Sequence, residues 1–277
     1  GVSYQWSYGG SNRSTVTVSD GGIYSVTVTD KDNHCYSVTS VSVTKDVAKP
    51  IVVLPEVEQI DCTTQTQTIS VMHTVTNVAG VTYKWSANDT GLSTTTISNG
   101  GIYSVTVTDN DNHCSEVGTV SVTKDVAQPK VSIPTVDQID CTTQTQTISV
   151  TYTITNAMGV SYKWSAHDNG TSSITVTEGG TYSVTVTDND NHCETVTSVN
   201  VEKDITKPIV VIPDVPQVDC ATQTQYARAR VTVTNTAGVS YEWSKDNVTD
   251  ANLAVSEAGV YTVTVTDNDN HCFDTAS

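Results

Sequence analysis

The sequence repeats itself every 79 residues, and this period constrains its fold more than any other feature. Its four tryptophans keep the step, as do the four cysteines that end a phrase of the type GIYSVTVTDNDNHC. The positions are Trp6, Trp85, Trp164 and Trp243, and Cys35, Cys114, Cys193 and Cys272. A fixed period without insertions indicates a tandem array of one structural unit.

Alignment of the copies predicts four repeats, at residues 1–48, 49–127, 128–206 and 207–277. The first is the C-terminal part of a repeat and the fourth lacks its last strand, so we interpret the sequence as a window from a longer array. Units of this size are near the lower end of what buries its own core. No stretch approaches the ~18 apolar residues of a membrane helix, and we expect any signal or anchor outside the window.

The hydrophobic pattern within one repeat is that of β-strands. In repeat 49–127, the segment Thr68–Asn77 alternates Ile69, Val71, His73 and Val75 with their neighbours, and apolar residues alternate in Val81–Ala87 and Tyr103–Thr108. Turns that contain Gly or Asn separate these segments. No segment has a helical period. The pattern predicts an all-β unit of about seven short strands, a β-sandwich, and an array of such units forms an elongated rod.

The order of the strands, with a Tyr-x-Trp strand before a Gly-x-Tyr-x-Val-x-Val strand, resembles an immunoglobulin-like (Ig-like) domain. The phrases YxWS and GxYSVTVTD, with the linker KDxxxP, resemble the Ig-like or PKD-like repeats of bacterial gliding-motility and type IX-secreted surface adhesins. This resemblance covers essentially the whole sequence and implies a cell-surface location. Two features depart from it. Val26, Val105, Val184 and Val263 stand where antibody-type domains have their second core cysteine, and DNDNHC replaces a shorter loop that contains glycine.

The cysteines occupy two positions in the repeat and indicate an oxidising, extracellular compartment. Pairing within a repeat is favoured, because the two cysteines of a separately folding module usually pair locally. That pairing joins Cys62 to Cys114, Cys141 to Cys193 and Cys220 to Cys272, while Cys35 pairs outside the window. A zinc or redox role for the His-Cys pair is disfavoured, since no CxxC spacing accompanies it.

Topology raises an objection to local pairing. In an immunoglobulin topology the two cysteines of one repeat lie at opposite ends of the sandwich, roughly 25 Å apart by strand rise. A disulfide needs Cα atoms within about 7 Å of each other. The alternative pairing joins successive repeats through Cys62–Cys193 and Cys141–Cys272, and the sequence leaves both pairings open.

The acidic turn before each His-Cys pair has two interpretations. Asp and Asn are ordinary turn residues, but several oxygen ligands within four residues also suit Ca²⁺. In the second interpretation a linker aspartate from the entrance of the repeat joins the turn. The candidate ligands are Asp46 with Asp109, Asp111 and Asn112; Asp125 with Asp188, Asp190 and Asn191; and Asp204 with Asp267, Asp269 and Asn270. The only cofactor that the sequence suggests is therefore Ca²⁺.

Each repeat also has one Asn-x-Ser/Thr sequon in the loop after its tryptophan strand, at Asn12, Asn88, Asn169 and Asn247. The offset from the tryptophan differs in every copy, which simple duplication does not explain. Chance sequons are common in a chain this rich in Ser and Thr, so N-glycosylation and coincidence both remain open.

Function follows from the repetition. An enzyme is disfavoured, because catalysis needs a unique constellation of groups and nearly every polar cluster recurs, while the unrepeated His73 and His167 show no partners. The net charge of −17 argues against nucleic-acid binding. We expect an extracellular stalk, fibre or filament whose partners are neighbouring repeats or other copies. The alternative is an adhesin module that binds carbohydrate or a partner protein through exposed loops, and assembly by strand donation is a third possibility.

Overall fold

The computed structural model describes residues 1–76, 78–155, 158–235, 237–245 and 247–277. These residues form 24 β-strands and no helix, so none of them belongs to a helix that could cross a membrane. The chain divides into two compact units. Unit 1 contains Gly1–Ile60 and Thr64–Lys124, and unit 2 contains Asp61–Thr63 and Asp125–Ser277. Asp61–Thr63, from sequence repeat 49–127, therefore belongs structurally to unit 2.

Unit 1 contains ten strands, and all of its strand pairs are antiparallel. They are β1 (Val2–Trp6), β2 (Gly22–Asp30), β3 (Tyr36–Val43), β4 (Ile51–Val53), β5 (Gln67–Ser70), β6 (Met72–Thr74), β7 (Val81–Trp85), β8 (Thr94–Ile97), β9 (Gly101–Asp109) and β10 (Ser115–Val122). Sequence repeat 1–48 forms the sheet β1-β2-β3. Repeat 49–127 forms the sheet β10-β9-β7 and the strand pairs β4-β6 and β5-β8.

Unit 2 contains the arrangement of repeat 49–127 in two successive copies, repeats 128–206 and 207–277. Its strands are β11 (Lys130–Ser132), β12 (Gln146–Ser149), β13 (Thr151–Thr153), β14 (Val160–Trp164), β15 (Ser173–Val176), β16 (Gly180–Asp188), β17 (Glu194–Val201), β18 (Ile209–Val211), β19 (Gln225–Arg228), β20 (Arg230–Thr232), β21 (Val239–Trp243), β22 (Asn252–Val255), β23 (Val263–Asp267) and β24 (Phe273–Ala276). The sheet β14-β16-β17 is accompanied by the pairs β11-β13 and β12-β15, and β21-β23-β24 by β18-β20 and β19-β22. Among the described residues, repeat 128–206 thus has the seven strands that the pattern predicts.

The core of repeat 128–206 lies between its sheets, because alternate residues of each strand point inward. In β16, Tyr182, Val184, Val186 and Asp188 are buried, and the residues between them are partly exposed. Ile148 and Val176 of the pair β12-β15 complete the same apolar cluster with Trp164. The chain therefore consists of tandem Ig-like β-sandwich repeats, and the valine in place of the core cysteine is fully buried.

A tyrosine corner repeats in all four copies and supports the Ig-like assignment. The Tyr182 hydroxyl donates a 2.8 Å hydrogen bond to the carbonyl of Glu178, four residues upstream, as Tyr103 does to Asn99. Tyr24 and Tyr261 make the equivalent bonds. In Ig domains a conserved tyrosine at this corner bonds the backbone in the same way.

One predicted strand is divided. The segment Thr68–Asn77 was expected to form a single strand, but its described part forms β5 and β6, which pair with β8 and β4 respectively. Between them, the Val71 N–H donates to the carbonyl of Ser93. The alternation of apolar residues continues through Val71, so the sequence pattern contains no sign of the change of partner strand. Asn77 itself lies outside the described residues.

Candidate functional site

Two disulfides join successive sequence repeats, and both lie inside unit 2. Cys141 bonds Cys272 with a Cα–Cα distance of 5.0 Å, and Cys62 bonds Cys193 with a Cα–Cα distance of 5.1 Å. Each bond spans 131 residues of sequence. Among the described residues Cys35, Cys114 and Cys220 are free. The favoured pairings Cys62–Cys114, Cys141–Cys193 and Cys220–Cys272 are therefore wrong, and the alternative pairing is correct.

The length of β17 explains why local pairing fails. Ile139, two residues before Cys141, forms a bridge with Lys203 just beyond the C-terminal end of β17. Cys193 directly precedes the N-terminal end of the same strand. The eight residues of β17 therefore separate the two cysteines of this repeat by roughly 25 Å, far more than a disulfide can span.

Each disulfide is one of three contacts between an Asp-Cys dipeptide and an Asn-His-Cys tripeptide of the next repeat. The His271 Nδ1 atom lies 2.9 Å from Asp140 Oδ2, and the Cys141 N–H donates to the carbonyl of Asn270. Asp61, Cys62, Asn191 and His192 repeat the arrangement with the same 2.9 Å His–Asp distance. In the junction between repeats 128–206 and 207–277, the Gln138 side chain also donates to the carbonyl of Asp269. A His–Asp contact, a backbone hydrogen bond and a glutamine side chain thus surround the covalent bond of this junction.

In three of the four repeats, the asparagine before the His-Cys pair attaches the linker to the turn. The fully buried Asn270 donates its side-chain amide to the carbonyl of Thr206 at 2.9 Å, and its Oδ1 accepts the N–H of Cys272. Asn191 makes the same bond to Ala127 and Asn112 to Ala48, again 64 residues apart. These asparagines were proposed as calcium ligands, and the structure assigns them this hydrogen-bonding role.

The histidine of each turn has a left-handed backbone. His192 and His271 both have φ of 54°, and His34 and His113 have similar values. This region disfavours residues that have a Cβ atom, although histidine enters it more often than most. Glycine would suit the backbone better, but glycine has no ring to place against Asp61 or Asp140. The imidazole contact therefore gives a reason for histidine at this position.

The carboxyl of Asp140 is held ionised. Burial raises its pKa, but hydrogen bonds from the Thr143 N–H, the His271 ring and the Thr142 hydroxyl and N–H outweigh this effect and lower the pKa to about 2. In the linker, a hydrogen bond from the Thr206 N–H outweighs burial and lowers the pKa of Asp204. The junction therefore contains two carboxylates that are stabilised in their charged form.

The predicted calcium ligands mostly cap their own turns. Asp109, Asp188 and Asp267 are buried, and each accepts the N–H of the aspartate two residues later, at Asp111, Asp190 and Asp269. The linker residues Asp46, Asp125 and Asp204 accept the N–H two residues later in the same way. The part of the chain that the structure describes contains no group of three or more acidic, His or Cys residues arranged for a metal. Calcium binding stays a prediction.

The four sequon asparagines, Asn12, Asn88, Asn169 and Asn247, are exposed. Two of them use their side-chain nitrogen in the loop, because Asn88 donates to the carbonyl of Thr96 at 2.8 Å and Asn169 to that of Ser173 at 3.1 Å. A glycan attached to either nitrogen would have to replace that hydrogen bond. Glycosylation also stays a prediction.

The sequence pattern does not identify several residues of the junction. It offers His192 and His271 only as disfavoured zinc or redox ligands, and it does not single out Asp61 or Asp140. The available signal was the recurrence of Asp-Cys and His-Cys as dipeptides at two fixed positions. His73, expected to have no partner, has its Nδ1 atom 3.2 Å from the Tyr83 hydroxyl.

Comparisons with known proteins add little to this geometry. No protein-family model and no curated protein matches the sequence. Solved structures with some likeness include Sidekick-1 immunoglobulin domains 1–5, at 12% identity and a TM-score of 0.36, covering 99% of this chain and 72% of that one. A titin I-band fragment, I67–I69, has 9% identity and a TM-score of 0.38, covering 82% and 96%. The ICAM-5 D1–D4 ectodomain fragment has 11% identity and a TM-score of 0.34, covering 93% and 82%. At these low scores the likenesses carry no inference about this chain.

Proposed function

We propose that the chain is the structural repeat region of an extracellular protein, and that it forms a stalk or filament at a cell surface. The observation that carries the proposal is the Cys141–Cys272 bond, which connects one β-sandwich to the next instead of stabilising a single sandwich. Cysteines that bond to a neighbouring module, and not within their own module, connect the modules of an array covalently. Disulfides persist in oxidising environments, which supports an extracellular location.

The other junction contacts support the same role. Asn270 fixes the linker to the turn at Thr206, and the His271–Asp140 pair flanks the disulfide. Together they restrict rotation and bending where flexible linkers otherwise leave neighbouring domains free to move. The equivalent residues recur at each 79-residue step, which is typical of a structural element and not of a single catalytic or ligand-binding centre.

Stiffness of the array tests the proposal. Small-angle X-ray scattering on the wild type and on Cys141→Ser/Cys272→Ser should show a narrow distribution of particle dimensions that broadens clearly when the bond is lost. Cys114→Ser/Cys220→Ser is the matched control, because it removes the same number of thiols at positions that are free here. If Cys141→Ser/Cys272→Ser gives the same distribution of particle dimensions as the wild type, the disulfide does not stiffen the array. The stalk proposal then loses its basis.

The adhesin alternative makes a different prediction. An adhesin binds carbohydrate or protein through its loops, so a glycan array or a binding assay gives a signal with isolated chains. That signal would not depend on whether Cys141 and Cys272 are bonded. Binding of this kind, together with unchanged scattering of Cys141→Ser/Cys272→Ser, would replace the structural role by an adhesive one.

A further inference from the structure

Repeat 207–277 differs from the other repeats on the exposed side of β19 and β20, two consecutive strands that pair with β22 and β18 respectively. Three residues that alternate along β19 and β20 are Tyr226, Arg228 and Arg230. The equivalent positions hold Thr68, Ser70 and Met72 in repeat 49–127, and Thr147, Ser149 and Thr151 in repeat 128–206. The whole sequence has three arginines and a net charge of −17. Two of the three arginines thus stand on one face of one repeat.

The residues of this face are exposed. Arg228 and Arg230 are exposed, and Tyr226 is 59% exposed. Ala227, between Tyr226 and Arg228, is buried in the core. Arg230 is paired with Val211 of β18, and Ile209, on the same side of β18, is paired with Thr232. Val211 and Ile209 are both exposed. Within the described ranges, neither guanidinium has a hydrogen bond or an ion pair from the chain. We call Ile209, Val211, Tyr226, Arg228 and Arg230 the arginine face.

The composition of the arginine face is that of a protein contact. Tyrosine and arginine are enriched at protein interfaces and among the residues that dominate binding energy. Ile209 and Val211 add apolar area whose burial is favourable. Two unpaired guanidinium groups on an acidic chain favour a partner that is locally acidic.

A complementary surface is present on repeat 49–127 of the same chain. Ile51 and Val53 of β4 and Met72 of β6 are exposed there, with Met72 paired to Val53. Glu56 and Glu58 follow directly and are exposed, on either side of Val57, which packs against the core. Among the described residues neither glutamate has an ion pair. Ile51, Val53 and Met72 share the exposed side of the pair β4-β6, and Glu56 and Glu58 lie on the segment that follows β4 in the chain. We call these five residues together the acidic face.

The middle copy lacks both surfaces. In repeat 128–206 the positions of Ile51, Val53 and Met72 hold Lys130, Ser132 and Thr151. The positions of Glu56 and Glu58 hold Thr135 and Asp137. Exposed apolar residues therefore occur on the first strand of two repeats, accompanied by Glu56 and Glu58 in one and by Arg228 and Arg230 in the other, where Asp214 stands at the position of Glu56. The intervening repeat is polar at these positions.

We propose that the arginine face of one copy of this chain binds the acidic face of a second copy. The contact is heterologous, because two different surfaces meet, and heterologous contacts build either closed rings or open assemblies. The apolar residues on both faces favour a protein partner over an acidic polysaccharide, which would leave Ile209 and Val211 uncovered. Small flat faces of this kind give weak contacts. The inference does not depend on the stalk proposal or on the disulfides.

Exchange of the charges tests the contact. Full-length chains with Cys35, Cys114 and Cys220 alkylated are studied by sedimentation equilibrium, so that new disulfides do not contribute. The wild type is expected to self-associate reversibly. Arg228→Glu/Arg230→Glu, and separately Glu56→Arg/Glu58→Arg, are each expected to weaken association at least tenfold. An equimolar mixture of the two variants is expected to restore it, because opposite charges face each other again.

Two controls separate the contact from general effects of charge. Lys84→Glu/Lys163→Glu changes the net charge as much as the arginine reversal does and is expected to leave association within twofold of the wild type. Arg228→Ser/Arg230→Thr, which introduces the residues of repeat 128–206, is expected to weaken association without adding repulsion. The inference is overturned if the wild type stays monomeric, if the charge variants associate as the wild type does, or if their mixture stays monomeric. A monomeric wild type that binds a sulfated polysaccharide through Arg228 and Arg230 identifies a glycan site instead.

Discussion

Asn270 donates its side-chain amide to the carbonyl of Thr206 at 2.9 Å, across 64 residues of sequence. The same side chain accepts the buried N–H of Cys272. Replacement by alanine leaves that N–H without a partner, which costs about 1–3 kcal/mol. For Asn270→Ala we expect hydrogen exchange in β23 to accelerate roughly 5- to 150-fold, the factor that corresponds to this free energy.

The matched control is Asn33→Ala in the first repeat. Asn33 accepts the N–H of Cys35 in the same turn but is exposed, so water replaces the lost bond. We expect little change in exchange around that turn. Equal effects of the two substitutions would show that burial of the asparagine does not determine its contribution.

The disulfide connectivity is testable by peptide mapping without reduction. Digestion should release one cross-linked pair that contains Cys141 and Cys272 and one that contains Cys62 and Cys193, as their Cα–Cα distances allow. Cys141→Ser should free Cys272 for alkylation and leave the Cys62–Cys193 pair intact. A cross-linked pair that contains Cys62 and Cys114 would contradict the structure.

Asp140 makes the junction sensitive to strong acid. Its pKa is 3.8 in the absence of the fold and about 2 in the folded chain. A group whose pKa is lowered by folding stabilises the fold at pH values above 3.8, and this stabilisation is lost as the pH falls towards about 2. We expect the difference in melting temperature between wild type and Asp140→Asn to shrink over that interval.

The comparison of Asp140→Asn with the wild type needs a control variant at a second carboxylate, because many acidic groups titrate in the same pH interval. Asp137→Asn removes a nearby exposed aspartate. Its difference from the wild type is expected to change little between pH 4 and pH 2, which are about the limits set by the Asp140 values. If the difference in melting temperature from the wild type depends on pH in the same way for both variants, Asp140 makes no special contribution.

The calcium hypothesis predicts that millimolar Ca²⁺ raises the melting temperature and that EDTA lowers it. The carboxylates of Asp204 and Asp267 already cap their own turns, so binding must use their remaining oxygen lone pairs. Asp204→Asn/Asp269→Asn should reduce the calcium effect, because it changes one of the three candidate sites, while keeping the size of each side chain. Absence of binding heat in calorimetry, with no response to EDTA, would show that these turns are structural only.

Glycosylation predicts a mass excess on material from the native source. Enzymatic removal of N-glycans should shift the intact mass by up to four glycans, one for each exposed asparagine of the sequons. Each Asn→Gln substitution at Asn12, Asn88, Asn169 or Asn247 should remove one of them. A native mass equal to that of the bare chain would make the sequons coincidental.

The repeated alternation of apolar residues was sufficient to predict the fold. The strand containing Val184 and Val186 follows directly from alternation, because one face of an antiparallel strand lies in the core. The division at Val71 could not be predicted, since β5 and β6 keep the same alternation while pairing with different strands.

Disulfide pairing required structural information for a different reason. In an exact tandem repeat, the pairing of Cys141 with Cys193 of its own repeat and its pairing with Cys272 of the next both recur at every 79-residue step, so the period alone cannot choose between them. The length of β17 decides the question. The partnership of His271 with Asp140 was hidden in the same way, because the two residues come from different repeats.

The two disulfide loops overlap, because Cys141 lies between Cys62 and Cys193 in the sequence. A protease that cuts one peptide bond anywhere between Cys62 and Cys272 therefore leaves both fragments covalently attached. Two separate loops, each confined to one repeat, would let a single cut in a linker release everything beyond it. An array built with overlapping loops survives isolated nicks without shedding its outer part.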